Sequence, residues 1–426
     1  MIKRSILPVI EEHLSVPEMT ILTGPRQVGK TYLMRVLEER LKEKGEKTLY
    51  LNLDYDDDRP IFASQGTLLD YIRLKTGETK AYLFIDEIQR KENAGLFLKG
   101  LYDMKLPYKF ILSGSGSLEL KAKIVESMAG RKRFFTIDPL SFEEFVNFKT
   151  GYRYQDKLND FFTIEKRQTL SLLEEFTVYG GYPRIVLADT ADKKAIEMED
   201  IYTSYIKRDI RDLLYVEKPE AFTNLVKIMA SQIGSLVNTT ELSQTIGIAD
   251  KTVRHYLWYL EQTFIIKKIT PYYQNVRNEI VKSPIYYFYD TGLRNYMLGL
   301  FGLPVLPSLL AGHLFENIIW RGLRQNIPIS PITIHFWRTR DHAEVDFVLQ
   351  VGLDTIPIEV KHRVLTSTKI SRSFQSFLIK YKPKDAYIIH LGEYLQSTFE
   401  GTTIHFLPFY DLQKVFDAIK SWHSSS

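Results

Sequence analysis

The chain has 426 residues, 44% of them hydrophobic and 25% charged, the ordinary balance of a globular protein with more than one domain. It contains no cysteine, which excludes disulfides, thiolate zinc sites, iron–sulfur clusters and cysteine nucleophiles and fits a reducing compartment. The net charge of +4 argues for no partner class by itself; its distribution along the chain says more.

The start, Met1-Ile2-Lys3-Arg4, leads into no long apolar core and does not read as a signal peptide. The longest uncharged stretch, Asn295 to Gly312, carries Pro304, Pro307 and several glycines, which argues against a membrane span. These features point to the cytoplasm. The first predicted element is the short apolar strand Met19 to Leu22. It runs into Gly24-Pro25-Arg26-Gln27-Val28-Gly29-Lys30-Thr31, which fits G-x-x-x-x-G-K-[ST] without deviation. Leu33, Val36, Leu37 and Leu41 then recur at helical spacing until Gly45. Strand, glycine loop and helix N-terminus in that order form a phosphate cradle. Gly24 and Gly29 let the backbone wrap the phosphates, and the helix amides point at the anion. Lys30 is placed to neutralise the β- and γ-phosphates, and the Thr31 hydroxyl to bind magnesium.

The apolar run Ala81 to Ile85 ends in Asp86-Glu87, a buried strand delivering two acids to the edge of a sheet. Asp86 reads as a magnesium ligand through water, and Glu87 as the group that polarises the attacking water. Lys109 to Leu112 is a third strand, ending in Ser113-Gly114-Ser115. A polar side chain there would lie between the other two strand ends and sense the γ-phosphate. Ser113 is favoured, with Ser115 and a plain turn as alternatives.

Gly24 to Thr31, Asp86-Glu87, Ser113 to Ser115, Ala129-Gly130-Arg131 and Pro139 to Phe145 together resemble the prokaryotic AAA-type ATPases of the additional-strand class. The resemblance implies an α/β domain over residues 1–155. Its parallel sheet would have a strand inserted beside the P-loop strand, with helices on both faces, and ATP and Mg2+ as cofactors. It also implies an arginine that completes the site: Arg131 is one candidate, a structural pairing with a sheet carboxylate its alternative, and Arg208 is a second candidate. Gly180-Gly181-Tyr182-Pro183 resembles a turn of the family's helical lid, here 156–219, and breaking a helix is enough to explain it.

From residue 220 the texture changes. Thr239 to Ile248 reads as a capped helix and glycine turn, and Asp250 to Glu261 as a helix burying Val253, Leu257 and Leu260. Strand-like Phe264 to Tyr273 and Ile285 to Tyr289 follow. Helix, turn, helix and hairpin over 220–292 form the pattern of a winged helix. Lys251, Arg254 and His255 would lie on its second helix, and Lys267, Lys268, Arg277 and Lys282 on the wing. The alternatives are DNA contact and mere packing.

The last segment, 293–426, has Glu316 in a run that opens a helix, Asp346 opposite the apolar face of the strand Ala343 to Leu349, and Glu359 and Lys361 two apart on the strand Pro357 to Lys361. The pattern resembles the PD-(D/E)xK restriction-endonuclease-like α/β fold. That resemblance implies Asp346 and Glu359 as metal ligands, Lys361 as the group steadying water or phosphate, and Glu316 as an auxiliary acid. A catalytically silent domain with an exposed Glu359–Lys361 pair is the other reading. Residues 361 to 384 hold seven lysines and arginines and no acid, which suits phosphate-backbone binding. The sequence thus predicts an ATPase acting on DNA through a nuclease-like domain, or an ATP-gated switch or scaffold whose C-terminal domain binds nucleic acid or protein without cleavage. A homo-oligomer is compatible with either, and no membrane partner is expected.

Overall fold

Three apolar runs, Met19–Thr23 (β1), Ala81–Asp86 (β3) and Tyr108–Ser113 (β4), are strands buried along their whole length, as strands covered by helices on both faces must be. The computed structural model describes residues 2–114, 128–204, 218–273, 283–303, 308–327, 332–339 and 341–424. With Thr48–Asn52 (β2) and Lys132–Thr136 (β5), these runs form a fully parallel sheet in the order β2-β3-β4-β1-β5. The inserted strand expected from the resemblance is β4, between β1 and β3.

Helices Leu7–His13 (α1) and Lys30–Glu43 (α2) cover one face, where Ile10, Leu33, Met34 and Leu37 meet Leu22, Phe84 and Ile111. Gln65–Thr76 (α3) and Ala94–Asp103 (α4) cover the other, bringing Leu68, Ile72, Leu98 and Leu101 onto Ile21, Leu83, Ile85 and Leu112. After β5 a capping box at Ser141 and Glu144 starts Phe142–Lys149 (α5). Four helices follow: Leu158–Ile164 (α6), Lys166–Tyr179 (α7), Pro183–Leu187 (α8) and Ala191–Tyr202 (α9).

The next unit has three helices, Pro219–Ser231 (α10), Thr239–Ile246 (α11) and Asp250–Gln262 (α12), and an antiparallel pair, Ile266–Ile269 (β6) and Ile285–Phe288 (β7). Asn238 caps α11, and Gly247 ends it at φ 75°. Thr291–Met297 (α13) and Ser308–Asn326 (α14) lead into a six-stranded mixed sheet. Its strands are Ile332–Arg338 (β8), Glu344–Val351 (β9), Asp354–Lys361 (β10), Asp385–His390 (β11), Leu395–Phe399 (β12) and Thr402–Pro408 (β13), in the order β12-β13-β11-β10-β9-β8. Arg372–Tyr381 (α15) packs on β9 and β10, and Gln413–Ser424 (α16) ends the described chain. Among the described residues no helix is long and apolar enough to cross a membrane.

The two sheets are joined through α14. Buried Arg321 donates to the carbonyls of Pro139 (3.2 Å) and Leu140 (2.8 Å), and Arg324 pairs with Asp138. Arg321 also lies 4.0 Å from buried Asp290, whose carboxylate accepts from the amides of Gly181 (2.7 Å) and Leu293 (2.8 Å). The Gly180-Gly181 pair therefore does more than break a helix. A Cβ on Gly180 would strike the Asp290 carboxylate, and one on Gly181 would crowd the Leu140 carbonyl. Burial pushes the Asp290 carboxyl up even with Arg321 beside it. Deleting one partner leaves a buried charge uncompensated, so Arg321→Leu should destabilise the fold by about 3–5 kcal/mol. Denaturant unfolding of that variant should show the loss, and adding Asp290→Asn should recover part of it.

Candidate functional site

The P-loop owes its course to three left-handed residues. Gly24 has φ 140°, Gln27 φ 59° and Gly29 φ 93°, conformations in which glycine pays no Cβ penalty. Gly24 is also hemmed in, since a Cβ there would run into the Ile137 carbonyl. Gly29 is the N-cap of α2, so the amides of the first turn open toward the loop. Lys30 Nζ donates to the carbonyls of Gly24 (3.1 Å) and Pro25 (2.6 Å), folded over the cradle where a phosphate would lie. Arg4 ties the loop to the domain: it donates to Val28 O (3.0 Å) and Asp138 O (2.6 Å) and pairs with Glu144 at 3.1 Å.

The carboxylates lie at the same edge of the sheet. Asp86 is buried. Its Oδ1 accepts from Ser113 Oγ and from the Glu87 amide (3.1 Å), and its Oδ2 from Tyr50 OH (2.8 Å). Ser113, at the end of the inserted strand, therefore sits beside Asp86. Glu87 has φ 55° and accepts from Gln89 Nε2. Burial pushes its carboxyl up, opposed by Lys30. A carboxylate with a raised pKa is the better proton acceptor for water.

A cavity of about 610 Å³ opens over the loop, within the ~300–1,000 Å³ usual for small-molecule sites. Arg26 to Thr31 and Glu87 line it, together with Ile2, Arg4, Tyr32, Pro183, Arg184, Leu187 and Ser204. Arg184 went unnoticed in the sequence. It follows the Gly180-Gly181-Tyr182-Pro183 turn, donates to Gln27 Oε1 (3.1 Å) and pairs with Glu197 (2.6 Å). Gln27 in turn donates to Ser204 (3.0 Å). Beside Arg4 and Arg26, the cavity thus has an arginine from the helical segment.

Arg131 is a correction. It sits one residue before Lys132, the partner of Met19 at the start of β1, whereas the P-loop follows the far end of that strand. Four strand steps, about 13 Å, separate the two edges. Arg131 pairs there with Asp103 (2.8 Å), a structural pairing, though with a carboxylate at the end of α4 and not one of the sheet. Ser115 and Arg208 lie outside the described residues. Thr31 in the first turn of α2 and Asp86 across the loop offer hard oxygen donors of the kind magnesium takes alongside phosphate oxygens and water.

The C-terminal constellation forms where β9 and β10 part. Their pairing ends at Ile358–Phe347. Beyond it Asp346 Oδ2 accepts the Val360 amide (2.6 Å), Lys361 Nζ pairs with Glu359 Oε1 (2.7 Å), and Ser371 Oγ donates to Glu359 Oε2 (3.2 Å). Glu316 joins from α14. It lies in mid-helix, since α14 starts at Ser308 and not near Leu314. Burial and then Glu316 push the Asp346 carboxyl well up. Burial works against the Lys361 ammonium, but Glu359, Asp346 and Glu316 outweigh it and raise its pKa. Three residues missed in the sequence complete the site: Ser371; His313, 3.5 Å from Glu316; and Tyr287, whose pKa burial and then Glu316 and Asp346 raise. Among the described residues no cluster of three or more His, Asp or Glu side chains is arranged to hold a metal. Asp346 and Glu359 supply two hard oxygen donors, enough only for a cation that keeps water or substrate oxygens as its other ligands.

A parallel sheet with an inserted strand, a glycine loop at a helix N-terminus and an Asp-Glu strand end define an AAA-type P-loop ATPase fold. A family model described as an AAA domain matches residues 16–146. Two models described as domains of unknown function match 170–303 and 311–412. Over 381 residues the chain is 26% identical to an uncharacterized protein of Mycobacterium tuberculosis, covering 88% of this chain and 77% of that one. It is 24% identical over 423 residues to an uncharacterized protein of Methanocaldococcus jannaschii, covering 97% and 89%. The solved structure of AMPPCP-bound DnaA from Aquifex aeolicus aligns with 60% of this chain and 86% of its own, at 15% identity and a TM-score of 0.26.

Proposed function

We propose that this protein hydrolyses ATP with magnesium at the P-loop, and that turnover controls a C-terminal domain acting on DNA. The observation that carries the ATPase reading is the convergence on one sheet edge of Lys30, the Asp86–Ser113 pair and Glu87, with Lys30 and Glu87 facing a cavity that admits a nucleotide. Thr31 and Asp86 would hold the cation, whose charge would offset that of the phosphates. Glu87 would draw a proton from the attacking water, and Lys30 and Arg184 would meet the phosphate charge. Phosphate release from ATP by the purified chain, with and without magnesium, tests this reading; no release above a Lys30→Ala control would end it.

Control of the C-terminal domain is supported by the path of α14. Glu316 lies close enough to act electrostatically on Asp346 and Lys361, and five residues on, Arg321 holds the segment that leaves β5 beside the P-loop. Three carboxylates around one lysine leave an excess of negative charge that a divalent cation would relieve, which favours cleavage of phosphodiesters there. The reading without cleavage is favoured by a different fact: protein donors already satisfy Glu359 and Asp346.

The DNA surface we favour is the basic stretch after Lys361, where Arg363, Lys369, Arg372, Lys380 and Lys382 are exposed. The unit α10–α12 with its hairpin reads as a winged helix, yet Arg254 is paired with Asp250 and Lys267 with Glu261, which lowers its free charge. Lys369→Glu, Arg372→Glu and Lys380→Glu together should weaken binding to all DNA sequences alike. The log–log salt slope should also become shallower by roughly 0.9 per lost phosphate contact. Fluorescence anisotropy at several salt concentrations measures both; unchanged binding would remove this surface from the footprint.

A further inference from the structure

Asp86 is held by a residue that lies on a different strand and outside every motif of the site. Tyr50 on β2 pairs with Phe84 on β3, and Asp86 lies two residues further along the same face of β3, about 6.7 Å on. That is the reach of a tyrosine side chain lying along the strand, and its hydroxyl donates to Asp86 Oδ2 at 2.8 Å. The ring is fixed from two sides. The Arg35 guanidinium stands 3.3 Å above its centroid, and Phe84 stacks on it at 6.1 Å with planes 13° apart. Arg35 belongs to α2, the helix that begins with Lys30 and Thr31, and is itself steadied by Glu38 at 3.0 Å.

We propose that Tyr50 is a positioning residue of the nucleotide site: it fixes the Asp86 carboxylate toward the nucleotide's cation, and Arg35 ties that setting to the P-loop helix. This rests on the ATPase reading. The chemistry of the partner matters. A carboxylate at a strand end can turn about two side-chain bonds, and donors on both oxygens remove that freedom. Ser113 and the Glu87 amide hold one oxygen, and Tyr50 holds the other. A lysine or arginine would hold it as well but would cancel its charge. A phenol is neutral, so it sets the direction of the Asp86 carboxylate without forming an ion pair with it. Arg35 meets the ring face, where the attraction is to π electrons, and so adds rigidity without forming an ion pair with Asp86.

Tyr50→Phe keeps the ring, its stacking and the Arg35 contact and deletes one oxygen. The test measures binding of a fluorescent ATP analogue to the full chain, once with magnesium and once with EDTA. The parent chain should bind more tightly with magnesium. In Tyr50→Phe that gain should shrink roughly tenfold, the worth of one hydrogen bond to a charged group, while affinity in EDTA stays the same. Arg35→Met, which leaves the phenol in place, should shift the gain in the same direction by less. An unchanged magnesium gain in Tyr50→Phe overturns the proposal. So does an equal loss in EDTA, which would mean a general structural defect. Failure of the ATPase reading looks different: the parent chain would bind the analogue no better than Lys30→Ala under either condition.

Discussion

Glu87→Gln should bind ATP with the affinity of the parent chain and lose hydrolysis by roughly 10²–10⁴-fold, the usual worth of a positioned general base. The amide keeps the shape of the side chain and can still meet Gln89, so the cavity wall is preserved. It cannot accept a proton from water. Binding should survive because Glu87 faces the cradle without building it; Lys30 and the loop amides do that. Lys30→Ala provides the contrast. It removes the ammonium that reaches over Gly24 and Pro25 and leaves several phosphate charges opposed by backbone dipoles, so both binding and turnover should collapse. Nucleotide binding and phosphate release on the two variants separate the roles. Full turnover by Glu87→Gln would assign the proton transfer elsewhere, and tight binding by Lys30→Ala would displace the phosphate site from the P-loop.

The contrast between these residues and the ones the sequence concealed has a physical basis. Lys30 and Thr31 were legible because a phosphate cradle is built from consecutive backbone, so loop, strand and helix must be contiguous. Asp86 and Ser113 were legible because each ends an apolar run, and parallel strands deliver their ends to one edge. Tyr50 and Arg184 were not. Tyr50 acts across a strand pair and Arg184 across 157 residues, and neither spacing leaves a trace in local composition. Arg131 was misplaced for a related reason: proximity to the sensor strand in sequence says nothing about which edge of the sheet a residue meets, and β5 starts where β1 starts. In the C-terminal domain Asp346, Glu359 and Lys361 were visible from strand alternation. His313 and Tyr287 come from another helix and another sheet, and the start of α14 at Ser308 was hidden by the apolar, proline-broken run before it.

The second large effect concerns that cluster. Asp346→Asn should abolish divalent-metal-dependent DNA cleavage, a loss of roughly 10²–10³-fold or more if its charge acts only where charge develops in the reaction. Asp346 and Glu359 offer oxygen ligands, and a divalent cation held there would polarise the phosphodiester and lower the pKa of bound water. Lys361, paired to Glu359 at 2.7 Å, would offset charge on a phosphate bound there. If the three act as one unit, Glu359→Gln and Lys361→Met should cost about as much as Asp346→Asn, and double variants little more. ATP hydrolysis should persist in all three, because none of these residues lines the nucleotide cavity. Calcium, which accepts the same ligands in looser geometry, should support DNA binding without cleavage. The substrates to test are supercoiled, linear, single-stranded and branched DNA, with magnesium or manganese and with or without ATP. Cleavage that survives Asp346→Asn would place the activity outside this cluster. No cleavage by the parent chain under any of these conditions would leave an ATP-gated domain that holds nucleic acid through its basic face, with the Lys361–Glu359 pair as a structural bond.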